Sequence, residues 1–497
     1  MSPPATSDAA TTLESLRQAY RAALSELANP QDEAARLNAA YEAVTAADDA
    51  GVLEAAAEGV SLGLFLRLAA MEEADRRWPF APAGRGIAAR GEHRNLIYQL
   101  PRVADDAGRR ELLDQYRAWG RRVQAKAALK PVRRAPRGRK TRPRIGLMSS
   151  DLRIHVVGAF VDPLIDHAPT LDADFYCYSA HPGPADAFQQ HVAGHVTAFR
   201  HLPGGNARDM AKAVAADSLD GLIEIGGSTN ENRLEALAYR PAPVQISWLG
   251  YPHSAGLGAI DHIILDPHLA PTEPDLLIEK PLLMPRSWVA MSRGYFRDDL
   301  PLAAGLPQDR RGFITFGTAG SPYKYSAPTL AAWGRVVAAV PGSRFLCVRP
   351  EGGSPIFRRN MADHFARQGV SADRLEFAAV RGAHLPYYEQ IDISLDTFPL
   401  TGGMTTCDAL WAGVPVVSLA GKAFWERLSH SLLTNAGLAD LSTATVEAFV
   451  NRAIELAADR PRRLQWRTEA RARIMVGPLG DQRRFAEDFF QAVTGVL

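Results

Sequence analysis

Cysteine is scarce. The 497 residues hold three, Cys177, Cys347 and Cys407, too scattered for a disulfide framework or a cysteine-based zinc site. That usage fits a reducing compartment. Cys177 and Cys347 sit inside the apolar runs FYCYS and RFLCVRP, where cysteine acts as a small core residue. Excess charge is lacking too: the formal net charge is +1, which offers no electrostatic footprint for nucleic acid or an anionic membrane. No run approaches the roughly 20 apolar residues that span a bilayer. The opening MSPPATSDAATT has neither a charged n-region nor an apolar h-region, so no signal peptide is expected. A cytoplasmic protein is the expectation. A period near 34 residues, the mark of tetratricopeptide repeats, is not evident.

What is present is length enough for two or three domains. Residues 1–126 read as a small helical domain. Leu13, Leu16, Tyr20, Leu24 and Leu27 recur at helical spacing up to Asn29-Pro30, and Leu37, Tyr41 and Val44 resume it. Further helical stretches cover about 51–77, 92–101 and 106–128. This domain either recognises a protein partner or covers the domain that follows. Residues 127–143, AALKPVRRAPRGRKTRP, form a basic linker broken by Pro and Gly.

From Arg144 strand-like runs alternate with helical ones: RIGLMSS, ADFYCYS, GLIEIGG, VQISWLGY and DHIILD. The rhythm slackens around 270–310, then restarts with GFITFGT, SRFLCVRP, RLEFAAV, DISLDTF and VPVVSL. Such alternation predicts parallel sheets covered by helices. The expected architecture is α/β: two Rossmann-like domains, 144–305 and 306–480, facing one another across a cleft, with a last helix over 481–497 packing back.

The stretch from Asp392 to Leu419 organises the second of these domains. An apolar strand, Ile391 to Leu395, leads into a turn of Thr401, Gly402, Gly403, Met404, Thr405 and Thr406. A helix over Cys407 to Ala412 and a second strand over Val414 to Leu419 follow. A strand, a Gly-Thr turn and a helix N-terminus converge backbone N–H groups and the positive helix end on one point, which suits phosphate. Thr405 and Thr406 add hydroxyls, and Asp408 suits a sugar diol, so the pattern describes a nucleoside diphosphate. The plain alternative is a structural connection.

Other candidates also follow strands, where ligands of open parallel sheets bind. His155, in Ser149-Ser150-Asp151-Leu152-Arg153-Ile154-His155, suits a proton acceptor or a ligand for a sugar hydroxyl. The loop Gly250-Tyr251-Pro252-His253 offers a second acid/base candidate in His253. Lys324, after Ser321-Pro322-Tyr323, would neutralise charge on a leaving diphosphate. Arg381 and His384 suit a base or ribose, and Arg427 and Ser431 the vicinity of the phosphates. His191 and His195 have the spacing of a zinc helix, but Val192 stands where a zincin has Glu and no third ligand is evident, so no metal is expected.

The segments SSDLRIH, RPAPVQISWLGYPHSAG, PYK, LDTFPLTGGMTTCDALWAGVPVV and RLSHSLLTNAGL resemble the catalytic region of the O-linked N-acetylglucosamine transferases, over about 144–495 and in the family's order. The resemblance implies a GT-B fold, a UDP-sugar donor, inversion at the anomeric carbon, no metal or other cofactor, and Ser/Thr side chains of proteins as acceptors. It implies that His155 is the active-site His and that Lys324, with Tyr323 beside it, stabilises the UDP leaving group. His384 would lie against the base, Arg381 would stand where a Lys contacts the ribose, Thr405 would fall on a diphosphate-binding Thr position, and Asp408 would hold the ribose hydroxyls; Gly403, Met404 and Thr406 beside it complete the nucleotide-sugar-binding candidates. Two departures bear on the sugar. The loop reads GGMTTCD where bacterial members usually read GGTTTCD, so Met404 replaces a hydroxyl. The GGST at Gly226 to Thr229 lacks the aromatic or His common at its third position. The helical N-terminal domain is also similar to that of bacterial Asn-directed N-glycosyltransferases. Flagellin or an adhesin is a further candidate acceptor, and a non-catalytic nucleotide-sugar-binding scaffold is the rival class.

Overall fold

The computed structural model describes residues 30–53, 58–80, 93–135, 142–229, 231–296, 302–382 and 384–497. The expected helix ending at Asn29-Pro30 lies almost wholly outside them, as does the centre of the basic linker. Pro30 itself opens a helix, α1 (Pro30–Asp49), a first-turn position where its missing N–H has no intrahelical acceptor to lose.

The chain divides into two compact units. One comprises 105–301, 422–439 and 472–497; the other comprises the described residues to 104, 302–421 and 440–471. We call them the first and second units.

The first unit is built on a parallel sheet of β1 (Arg144–Met148), β2 (Asp174–Ser179), β3 (Ala198–His201), β4 (Gly221–Glu224), β5 (Val244–Ser247), β6 (His262–Leu265) and β7 (Lys280–Leu283). The order is β3-β2-β1-β4-β5-β6-β7, the doubly wound order, with its reversal between β1 and β4. Leu147 pairs with Cys177 on one side and Ile223 on the other. The central strands are buried runs, as crossover helices on both faces require. The second unit repeats the scheme with β8 (Thr315–Thr318), β9 (Arg344–Val348), β10 (Leu375–Ala378), β11 (Ile393–Leu395), β12 (Val416–Leu419) and β13 (Ser442–Thr443). Its order is β10-β9-β8-β11-β12-β13, so its switch point lies between β8 and β11.

Three strands were not expected: β3, β7 and β13. Each is an edge strand. Edges are partly wet and need no continuous apolar run, although the fourth edge, β10, was expected from RLEFAAV. β7 is mostly exposed and holds Pro281, tolerable only where one side of the ladder is unpaired.

The expected helical domain over 1–126 is divided between the units. Described residues 30–104 belong with the second sheet. There α1, α2 (Glu58–Arg67) and α3 (Met71–Arg77), with a 3-10 segment over His93–Arg102, are tied by side chains. Asn360 Nδ2 donates to Leu68 O at 2.8 Å, and Tyr98 meets Tyr323 edge-on at 5.8 Å. The next helix, α4 (Asp106–Ala128), belongs with the first sheet. Its Trp119 enters a core with Tyr178, Met210, Leu222, Leu237 and Leu257. Gly120 packs so closely that a Cβ there would stand 1.9 Å from Gly256 O.

The boundary at 480 also shifts. Residues 422–439, expected in the second Rossmann-like domain, return to the first unit, as do 472–497. Glu426 takes Arg109 at 2.6 Å. In the last helix, α15 (Gln482–Thr494), Phe489 packs on Trp248 at 4.7 Å and Asp488 accepts from Arg286 Nε at 3.0 Å. Partners this far apart in sequence leave no local pattern. Among the described residues no helix is long and apolar enough to cross a membrane.

Candidate active site

In the second unit the switch point brings two loops together. After β8 the chain makes a 3-10 turn, Pro322–Lys324. After β11 it runs through Asp396 to Gly403 and enters α11 (Met404–Trp411). Lys324 Nζ reaches across and donates to Thr401 O at 2.9 Å. Burial depresses the Lys324 pKa to about 8, with the Asp396 carboxylate pulling the other way. Asp396 shapes the turn: its Oδ1 accepts from Thr397 N and Gly402 N, each at 2.9 Å, and its Oδ2 from Ser418 Oγ at 2.6 Å.

α11 starts three residues earlier than expected, because the Thr406 and Cys407 N–H groups already bond back to Gly403 O. Met404, Thr405 and Thr406 therefore form its first turn, and Asp408 stands on the second. Threonine is a modest helix former and follows two glycines, which is why the stretch reads as loop. The helix ends at Gly413, with φ +69°. There Gly413 N bonds Leu410 O and Val414 N bonds Ala409 O, the paired bonds that a left-handed residue makes possible. At Gly402 an added Cβ would lie 2.4 Å from Thr406 Oγ1, 3.0 Å from Asp396 Oδ1 and 3.2 Å from Thr405 Oγ1. Both threonine hydroxyls thus converge on bare backbone at the helix N-terminus, a donor set suited to an anion.

Asp408 is fully buried, and its Oδ2 lies 2.8 Å from His384 Nε2. The residues expected to hold ribose and base are therefore paired with each other. Tyr388 OH donates to Thr405 O at 3.1 Å, bracing the same turn. Two other expected ligands are engaged by the N-terminal helices. Tyr323 packs on Tyr98. Arg381 Nε donates to Glu33 Oε2 at 2.7 Å.

In the first unit His155 caps α5 (Val156–His167). Its Nδ1 accepts from Val157 N at 3.3 Å and lies 3.8 Å from Asp151 Oδ1. Asp151 Oδ2 accepts from Thr229 Oγ1 at 2.8 Å and Asn232 Nδ2 at 3.0 Å. Asn232 Oδ1 in turn accepts from Ser150 N at 2.9 Å. The loops after β1 and β4 are thereby joined at this sheet's own switch point. Glu224, at the end of β4, accepts from Gly226 and Gly227 N–H groups, and burial raises its pKa to about 8. Sequence reasoning passed over Asp151, Glu224, Asn232 and Asp396 as site residues. Asp151 and Asn232 stood inside quoted or adjoining motifs, but their pairing spans 81 residues.

The second acid/base candidate is a core residue here. His253 is buried, stacked on Tyr116 at 4.1 Å and beside Trp425 at 4.7 Å. Burial lowers its pKa to about 4. Tyr251 OH shares a 2.6 Å hydrogen bond with Tyr116 OH. Gly250 N donates to Ile225 O at 2.7 Å, and Pro252 is half-buried between these anchors. Arg427 and Ser431, expected beside the phosphates, sit in the first unit and bond His268 O at 3.0 Å and Asp266 Oδ2 at 2.5 Å.

The family model for glycosyl transferase family 41 matches residues 123–294 and 303–489. The chain belongs to that family. A curated relative in Hordeum vulgare, "Probable UDP-N-acetylglucosamine--peptide N-acetylglucosaminyltransferase SPINDLY", is 30% identical over 77% of this chain and 41% of its own length. The Arabidopsis thaliana relative of the same description called SEC is 27% identical over 72% of this chain and 37% of its own. The chain thus spans about two fifths of the length of these relatives. Among solved structures, an O-GlcNAc transferase variant from Thermobaculum terrenum aligns with TM-score 0.77 and 25% identity, covering 99% of this chain and 98% of that one. The fold class of this family 41 chain is GT-B: two Rossmann-like parallel-sheet units with helices at the N-terminus.

Proposed function

We propose that this chain transfers a sugar from a UDP-sugar to Ser/Thr side chains of a protein, with inversion. The observation that carries the reading is the Lys324 Nζ contact to Thr401 O across the β8/β11 switch point. It sets an ammonium at the mouth of the turn where Thr405, Thr406 and the α11 N-terminus converge. A diphosphate seated there replaces Thr401 O as the partner of Lys324 and gains the helix-end N–H groups. As the glycosidic bond breaks, negative charge builds on the departing UDP, and these groups stabilise it without reorganising. The positive charge comes from Lys324, and we assign no cofactor or metal to the chemical step.

The donor base and ribose fall to the His384–Asp408 pair. The relatives' names supply N-acetylglucosamine as the sugar and peptide as the acceptor. Met404 on the first turn of α11 offers a thioether where a hydroxyl is usual, so the donor sugar is the finer part of the proposal. His155 acts on the acceptor side. Because its Nδ1 accepts from Val157 N–H, the neutral ring carries its proton on Nε2. In that tautomer Nε2 donates, so His155 orients a sugar or acceptor oxygen. Proton uptake would need Nδ1 to leave Val157 and turn to Asp151.

The test is incubation of the purified chain with UDP-N-acetylglucosamine or UDP-glucose and a cell lysate, read by intact-protein and peptide mass. A sugar increment on Ser or Thr, abolished in Lys324→Ala, supports the reading. Increments confined to Asn would replace it with N-glycosyl transfer. Tight UDP binding without any increment would favour a nucleotide-sugar-binding scaffold.

A further inference from the structure

We propose that the first unit carries a divalent-cation site of the zinc type, built from Asp166 on α5 and His191 and His195 on α6 (Ala187–His195), with water completing the ligands. The His pair alone lacks a third ligand in sequence; the fold supplies it in Asp166, with Asp162 one turn before it. Each pair is spaced four apart, which sets both side chains on one face of its helix. The two helices run side by side in the same direction. Asp186, the N-cap of α6, accepts from Ile154 N at 2.6 Å just ahead of α5. Gly158 on α5 has a Phe188 ring carbon 3.3 Å from where its Cβ would be. One turn further on, the Asp face therefore meets the His face.

The ligand atoms of Asp166, His191 and His195 all lie within 4.8 Å of one another. His191 Nε2 stands 2.9 Å from Asp166 Oδ1 and 3.4 Å from Asp162 Oδ1. A tetrahedral ion with bonds of about 2.0–2.1 Å separates its ligands by about 3.3–3.4 Å, so small side-chain rotations close the set. Supporting bonds point the ligands inward. His195 Nδ1 donates to His191 O at 2.9 Å, which leaves the Nε2 lone pair available. Ser292 Oγ donates to Asp162 Oδ2, leaving Oδ1 toward His191. His191 Nε2 is buried, yet its contact with Asp166 is not aligned as a hydrogen bond. Two imidazoles, one carboxylate and a water form an N2O2 set for a dication of intermediate softness, and the neighbouring Asp162 carboxylate offsets the remaining charge. The bound ion would clip α5, whose N-cap is His155, to α6.

The test uses the metal-stripped full chain and Co²⁺ as a spectroscopic stand-in for Zn²⁺. The expected result is visible absorption of tetrahedral cobalt that saturates at one equivalent and is displaced by Zn²⁺. His195→Gln and Asp166→Asn should each weaken binding about tenfold or more. Zn²⁺ should raise the unfolding temperature of the parent chain and not of the variants. Matching unfolding temperatures of all metal-free forms would show that the variants fold. Absence of saturable absorption, or saturation unchanged in both variants, overturns the site.

Discussion

Glu33, on the first described helix, receives the guanidinium of Arg381, 348 residues away. It also takes Arg67 Nη2 at 2.6 Å, and Arg67 bonds Glu351 Oε1 at 2.7 Å. An N-terminal helix thus holds an arginine of the second unit by a buried carboxylate. Removing Glu33 leaves Arg67 on Glu351 but takes the carboxylate from the partly exposed Arg381, which costs about 1.5–3 kcal/mol. Glu33→Ala should lower the urea midpoint accordingly. It should also make residues near Arg67 open to protease. Unchanged stability would show that the N-terminal helices are not held by these ions.

Lys324→Ala should cut turnover about 100- to 1000-fold, the usual worth of a preorganised charge on a leaving group, about 3–4 kcal/mol. Circular dichroism should be unchanged. A loss seen only in KM, with kcat intact, would make Lys324 a ground-state binder alone.

The pH dependence of donor binding follows from the same residue. With its pKa near 8, Lys324 is mostly cationic at pH 7 and loses its charge as pH rises past 8. UDP affinity should therefore fall with rising pH above about 8, and the fall should vanish in Lys324→Met. For stability the sign reverses. The folded pKa lies below the unfolded one, so the unfolded chain binds more protons between about 8 and 10.5. Lys324 therefore contributes a rise in stability across that window. Calorimetry with UDP and urea titrations at several pH values check both.

Gly402→Ala and Gly403→Ala form a contrasting pair. A Cβ at 402 meets Thr406 Oγ1 at 2.4 Å, whereas one at 403 meets nothing within 4 Å. The first should abolish saturable UDP binding by splaying the threonine hydroxyls. The second should leave affinity within a few fold. Equal effects would remove the convergent turn from the argument.

His253→Phe should keep turnover within a few fold, because the ring serves packing against Tyr116 and Trp425. The lost Nδ1 contact to Ser254 O, 3.1 Å long, should cost about 1 kcal/mol of stability. A turnover loss of a hundredfold or more would restore His253 to the chemistry.

Several elements were legible because their causes are local. Buried central strands such as Ile145–Met148 and Phe345–Val348 must be apolar on both faces, so they show in the sequence. The Gly402–Thr406 turn and the Pro322–Lys324 turn show because glycine and proline mark where backbone approaches or bends. The edge strands β3, β7 and β13 do not show, since a half-wet edge needs no apolar run. Two alternating β/α units, and residue types suited to a diphosphate, could be read along the chain alone. Which groups meet depended on how distant segments pack. That packing seated Lys324 on Thr401 and Arg381 on Glu33, and joined Asp408 to His384. It also buried His253 and sent 422–439 back to the first unit. These are pairings between distant segments, and the packing that selects them depends on the whole fold, which no window of neighbouring residues contains.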